Sequence, residues 1–254
     1  MRRSILISFC FILVAILPVI GAYGYVLTNP GIPDGEQIVW LLTRDGKATV
    51  PSTITWKKAN KGDRPVYEIT TDAGEMKQAR YVIDRTDLRL IEARVSRNGN
   101  EGKSKVTILL EDECQYLICT EEDKKPKTKK IDCSLDGYDG TVLPFSLRGF
   151  PFETKKEVKL NLTPPFKPGV PFWAWRMWKS YAKLLGTEKV TVPAGTFECY
   201  KLEVGASGGL IKRVTSKYYF WFRNEPPYQF VKYQDEDGKT VTELMEIKSN
   251  GEEG

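Results

Sequence analysis

The chain of 254 residues contains no histidine. That absence excludes Ser-His-Asp and Cys-His catalysis, histidine zinc sites and histidine pH switches together. Any catalysis would have to run on carboxylate pairs, Ser-Lys, tyrosine or cysteine. Cysteine is scarce as well, at five residues, and no Cys-x-x-Cys pair is present to suggest zinc. Helical periodicity is nearly missing from Gly35 onward, and no apolar run reaches the roughly 20 residues that a spanning helix prefers. Charge of one sign is weak too. A net charge of +5, with no basic segment laced with aromatics, does not fit nucleic acid. No nucleic-acid partner, metal or cofactor is expected.

What is present begins with a leader. Met1-Arg2-Arg3-Ser4 is a short positive region, Ile5 to Ile20 an apolar stretch broken by Pro18, and Ala22-Tyr23-Gly24 a small-x-small exit. This is the layout of a secretory signal cleaved after Gly24, or of an uncleaved N-terminal anchor that makes the membrane contact. Either way the domain is expected outside the cytoplasm, in the periplasm or on the outer face of the cytoplasmic membrane. Residues 25–34 read as a linker, 35–248 as one β domain and 249–254 as a frayed tail. The roughly 230 residues beyond the leader suffice to bury about 70–75% of the unfolded surface in one core.

Four cysteines lie beyond the leader: Cys114, Cys119, Cys133 and Cys199. An even number in an exported protein points to disulfides, with three connectivities open. The alternative is buried thiols, since free cysteine packs as a small hydrophobe. Glu121 to Lys130 carries acids in one arm and bases in the other. Folded about Pro126, it sets Cys119 across from Cys133, the first choice for a bridge.

From Gly35 the pattern is strand, turn, strand. Turn signals such as Asp45-Gly46, Asp72-Ala73-Gly74 and Asp235 to Gly238 recur every 8–12 residues or so, the spacing of a sandwich or barrel. Val106 through Cys119 reads as one long strand. Leu143 to Phe152, broken by two prolines, reads as a short helix or turn. Glu188 to Val204 reads as a hairpin closed by Pro193-Ala194-Gly195. A bulge is expected near Cys199 and Tyr200, where its apolar face changes parity.

One segment carries functional content. Phe172, Trp173, Trp175 and Trp178 crowd together, and aromatics at this density either bind something, touch a membrane interface or close a barrel mouth. Arg176, Lys179, Ser180 and Lys183 follow at helical spacing, whereas Trp178, Ser180, Ala182 and Leu184 would line one face of a strand. Residues 171–185 stay open between the two, with strand preferred for Lys179 to Leu185. No two carboxylates stand out as an acid pair, so the chain does not read as an enzyme; a carboxylate-based glycan hydrolase is the remaining catalytic alternative.

Several stretches together resemble a known family. Tyr81 to Arg89, Leu143-Pro144-Phe145-Ser146-Leu147-Arg148, Val190 to Phe197, and Tyr219-Phe220-Trp221-Phe222 with Pro226-Pro227 occur in family order. They resemble a family of exported bacterial domains of unknown function, similar in fold to the Lol-type periplasmic lipoprotein carriers. The resemblance implies a mostly β chain: a strongly curved antiparallel half-barrel with little helix, whose helices or loops close an apolar cavity. By analogy it implies a lipid or acyl-chain-like ligand in the concavity. Trp40, Trp56 and Trp221 are then candidates for the wall, and Phe172, Trp173, Trp175 and Trp178 for the mouth. The chain lacks the long lid helix of the carriers, and 171–185 is the expected substitute. A structural or protein-interaction module of the envelope, without a ligand, is the alternative.

Overall fold

A computed structural model describes residues 25–248 apart from 75–76, 100–101, 112–113, 122–124, 133–136, 165–175 and 208–215. The leader (1–24) and the tail (249–254) lie outside the described residues. The first half carries β1 (Gln37–Arg44), the two-residue β2 (Lys47–Ala48), β3 (Ser52–Lys61), β4 (Arg64–Asp72) and β5 (Lys77–Asp84). It continues through β6 (Leu90–Gly99), β7 (Gly102–Glu111), β8 (Cys114–Glu121) and β9 (Lys127–Asp132). After β10 (Gly137–Asp139) come a one-turn helix α1 (Leu143–Ser146) and a 3-10 turn (Leu147–Gly149). The second half carries β11 (Glu157–Thr163), β12 (Trp178–Val192), β13 (Gly195–Ala206), β14 (Tyr218–Arg223), β15 (Phe230–Asp235) and β16 (Thr240–Lys248).

All these strands belong to one sheet, ordered β10-β11-β12-β13-β14-β15-β16-β1-β3-β4-β5-β6-β7-β8-β9, with β2 paired to β1. Among the described residues only β10 and β11 run parallel. Gln37 lies opposite Lys248 and Arg44 opposite Thr240, so the first and last strands join two meanders into one curved, open sheet. The half-barrel expectation holds. Local chemistry accounts for much of it: Asp45 and Gly46 take φ of 49° and 74°, the positive pair that a two-residue I′ turn demands. On β3, Ile54 and Trp56 are fully buried while Lys57 and Lys58 are exposed.

Among the described residues two large apolar cores form, beside a small cluster of Val66, Val82 and Ile91. One joins Ile38, Ile54, Trp56, Ile69 and Tyr81 of the first half to Val190, Val192, Cys199 and Trp221 of the second. The other gathers Leu147, Phe150 and Phe152 with Leu160, Ala182, Leu202, Val204, Phe220 and Phe222. Strand β13 serves both. Phe197 and Cys199 face the first core, and Tyr200, Leu202 and Val204 the second. Regular alternation therefore explains the parity change, and no bulge lies at Cys199–Tyr200. The bulge is on the partner strand, between Leu184 and Gly186. It rotates β12 by one position, so Ala182 and Leu184 face one core and Val190 and Val192 the other.

Three further expectations are corrected. Val106 to Cys119 is a hairpin of β7 and β8, with Glu111 paired to Cys114; the apolar parity read along the stretch is shared by two antiparallel strands and does not require one. In the next hairpin Cys119 pairs with Lys127 and Cys114 with Asp132. Pro126 is therefore not the apex, and Cys119 lies opposite Lys127; Cys133 lies outside the described residues. Finally, residues 25–34 are a strap rather than a linker. Leu27 and Ile32 are fully buried, and the N–H groups of Tyr25, Thr28 and Asn29 donate to Lys159, Gly149 and Thr86 carbonyls. The strap lies so close to Gly149 that a Cβ there would meet the Thr28 carbonyl oxygen at 2.6 Å. The strand preference for Lys179 to Leu185 holds, inside β12.

Candidate functional site

The segment Leu143 to Arg148 is buried beneath the sheet, with Phe145 in the first core and Leu143 and Leu147 in the second. Pro144 falls in the first turn of α1, where its missing N–H costs nothing. Phe145 then points between the tryptophans: its ring lies 5.5 Å from Trp40, 5.3 Å from Trp56 and 6.0 Å from Tyr81. These are the separations of favourable aromatic pairs. The Ser146 hydroxyl donates to the Leu88 carbonyl at 2.7 Å. Arg148 closes the set. Its guanidinium forks onto Glu36 at 2.6 and 3.0 Å, donates through Nε to the Pro227 carbonyl at 3.0 Å, and lies over the Trp56 ring at 5.2 Å.

Polar groups around this plug are mostly paired. Tyr67 donates its hydroxyl to the Ile32 carbonyl at 2.8 Å and accepts from Asn29 at 3.0 Å; burial raises its pKa above the ordinary phenol value. The exceptions are the indole nitrogens of Trp40 and Trp56, both buried and without a hydrogen-bond partner among the described residues. Beside the ion pair, at the ends of β1 and β16, a cleft of about 330 Å³ is lined by Glu36, Arg223, Pro227, Gln229 and Lys248 among others. The peptide bond between Pro226 and Pro227 is cis.

Tyr81 and Leu88, the 143–148 plug, Trp221 and the Pro226-Pro227 turn, which are far apart in sequence, thus meet around one core. The family described as protein of unknown function, DUF3108, matches residues 37–245. The chain belongs to the DUF3108 family. No curated protein matches it. Among solved structures, it is similar to the β-barrel-like protein of the domain of unknown function DUF1849 from Brucella abortus. That structure has a TM-score of 0.50 at 12% identity, over 85% of this chain and 98% of that one, a likeness of fold alone. A protein of YmcC-like fold from Bacteroides fragilis aligns at 15% identity and a TM-score of 0.33, over 89% and 100% of the two chains.

In this DUF3108 chain the proposed wall residues border one core but do not all meet on the plug. Trp40 and Trp56 meet on Phe145. Trp221 lies on β14 and donates its indole N–H to Glu188 at 2.6 Å, with the Lys201 and Lys232 ammonium groups 4.9 and 5.8 Å from its ring. That hydrogen bond, followed by Lys201, holds Glu188 below the ordinary carboxylate range. Trp178 begins β12 with the Arg176 guanidinium 4.0 Å over its ring. Phe172, Trp173, Trp175 and Cys133 lie outside the described residues. Cys199 is a buried free thiol at a core position on β13. Phe145, Arg148 and Glu36 are absent from the sequence-based site. The available signal was Arg148 itself: a guanidinium inside an apolar stretch requires a buried acceptor.

Proposed function

We propose that this DUF3108 chain is an exported module of the cell envelope that acts through its surface, as a structural or interaction domain, rather than as an enzyme. The observation that carries the reading is the Phe145 ring packed against Trp40, Trp56 and Tyr81. The chain's own side chain occupies the space where a carrier would hold its ligand. Export is supported by the positive, apolar and small-residue layout of Met1 to Gly24. Native mass spectrometry of the protein purified from its own envelope tests the interior: the mass of the polypeptide alone is expected, and a stoichiometric lipid adduct would overturn the reading. A reporter enzyme active only outside the cytoplasm, fused after Lys248, tests export.

A second reading keeps a lipid or acyl-chain ligand. It is favoured by the two buried indole N–H groups of Trp40 and Trp56, which have no partner among the described residues. An unpaired buried donor is costly, and a ligand carbonyl replacing Phe145 would satisfy them. A copurifying lipid that disappears in Phe145→Trp supports this reading over the first.

A further inference from the structure

We infer that the lysine-rich edge of the sheet around Tyr25 rests on an anionic lipid surface when the N-terminal apolar stretch is retained. The inference rests on the envelope reading and adds to it which face of the domain meets the membrane. Tyr25 pairs with β11 just before the stretch that β10 covers, donating its N–H to the Lys159 carbonyl at 2.6 Å. Only Gly21, Ala22, Tyr23 and Gly24 separate it from the apolar run that ends at Ile20. Fully extended, that spacer spans at most about 18 Å. Because the strap residues Leu27 and Ile32 are buried in the domain, no slack follows Tyr25. A bilayer holding the apolar run must lie beside this edge.

The side chains of the edge suit that neighbour. Val26 is 47% exposed, one of few large apolar residues left in water, and Tyr25 is an aromatic of the kind that sits at headgroup level. The Lys155 ammonium lies 5.3 Å from the Tyr25 ring. Lys155, Lys156, Lys159, Lys179 and Lys183 are all exposed. Lys159 opposes Tyr181, Lys179 opposes Asn161 and Lys183 opposes Glu157, and directly opposed residues share a face, so three of these lysines project from the same side of the β11–β12 pair. Acids share this face: Glu157 and Glu203 both lie opposite Lys183, so the surplus of positive charge rests mainly on Lys155, Lys156, Lys159 and Lys179. Glu153 accepts from Tyr200 at 2.6 Å, and Glu203 accepts from Tyr181 and Lys217 at 2.8 and 3.1 Å. Glu157 is exposed among the lysines. Clustered lysines beside a membrane segment are attracted to anionic headgroups, and the attraction is screened over about 10 Å at 0.1 M salt.

The test places the full chain in vesicles and maps lysine acetylation by mass spectrometry. With phosphatidylglycerol present, labelling of Lys155, Lys156, Lys159 and Lys183 should fall about threefold or more relative to pure phosphatidylcholine and recover in high salt. Lys58, on the far half of the sheet, should label equally in both. The exposed-site variant Lys155→Glu, Lys159→Glu, Lys183→Glu should lose the contrast at Lys156. Equal labelling on the two vesicles, a contrast that survives charge reversal, or failure of the chain to float with either vesicle overturns the inference. None of these outcomes bears on export, which the reporter fusion decides separately.

Discussion

The Arg148 guanidinium and the Glu36 carboxylate form a two-point ion pair inside the domain, with side chains only 2% and 9% exposed. The pair joins the plug to the residue just before β1, and the Pro227 carbonyl takes the remaining Nε donor. Removing one partner leaves a buried charge uncompensated, which typically costs about 3–5 kcal/mol. Arg148→Met should therefore lower the unfolding free energy by about that amount in urea titrations, and Arg148→Lys should not restore it, because an ammonium cannot fork. The double variant Glu36→Gln with Arg148→Met should regain more than half of the loss. A double variant as unstable as the single one would show that the pair contributes packing alone.

Phe145 is the second test of the plug. If its ring fills the space between Trp40, Trp56 and Tyr81, Phe145→Ala opens a cavity and costs about 3–5 kcal/mol. Phe145→Leu conserves shape better and should cost clearly less. Equilibrium denaturation followed by tryptophan fluorescence measures both, since two indoles flank the site. A loss under about 1 kcal/mol for the alanine variant would mean that the concavity is not closed by this ring.

The fold was legible where local rules act and the site was not. Ile54 and Trp56 alternate with polar neighbours, and Asp45-Gly46 can close only a tight turn, so strand and hairpin follow from a few residues each. The plug depends on contacts distant in sequence: Phe145 meets Trp40 and Trp56, and Arg148 meets Glu36 across 112 positions. No local period records such a meeting. The apparent bulge at Cys199–Tyr200 failed for a related reason. One strand's apolar pattern cannot reveal that two cores lie on its two faces. Ladder register was equally hidden, since lysines flank both sides of Lys127 and pin no single pairing.

Cys199 should behave as an inert thiol. Its sulfur is buried 3.6 Å from the Phe197 carbonyl, and burial pushes its pKa up to about 12. The nucleophilic thiolate is then a negligible fraction at neutral pH. Iodoacetamide should leave Cys199 unmodified in the native protein and alkylate it fully after denaturation, as read by peptide mapping without reductant. Recovery of Cys199 in a disulfide-linked peptide would contradict the assigned packing.

Asp139 gives the stability of the fold a particular pH dependence. It is fully buried, accepts from the Thr141 N–H at 2.8 Å and the Thr163 hydroxyl at 2.9 Å, and burial outweighs both to push its carboxyl above the ordinary 3.8. The unfolded chain loses this proton near the ordinary value, whereas the folded chain keeps it to higher pH. Between the two values the folded state binds more protons, so this residue's contribution to stability falls as pH rises through the window. Asp139→Asn has no proton to lose and retains an oxygen acceptor. Other carboxylates slope the opposite way: Glu92, held low chiefly by Lys61 at 2.9 Å, contributes stability that is lost on acidification. The difference between the two proteins isolates Asp139. Urea midpoints should show Asp139→Asn gaining on the parent steadily from about pH 4 upward, then levelling once Asp139 is ionised in the folded state. A difference that stays flat across that range would mean that Asp139 is ionised in the folded protein throughout.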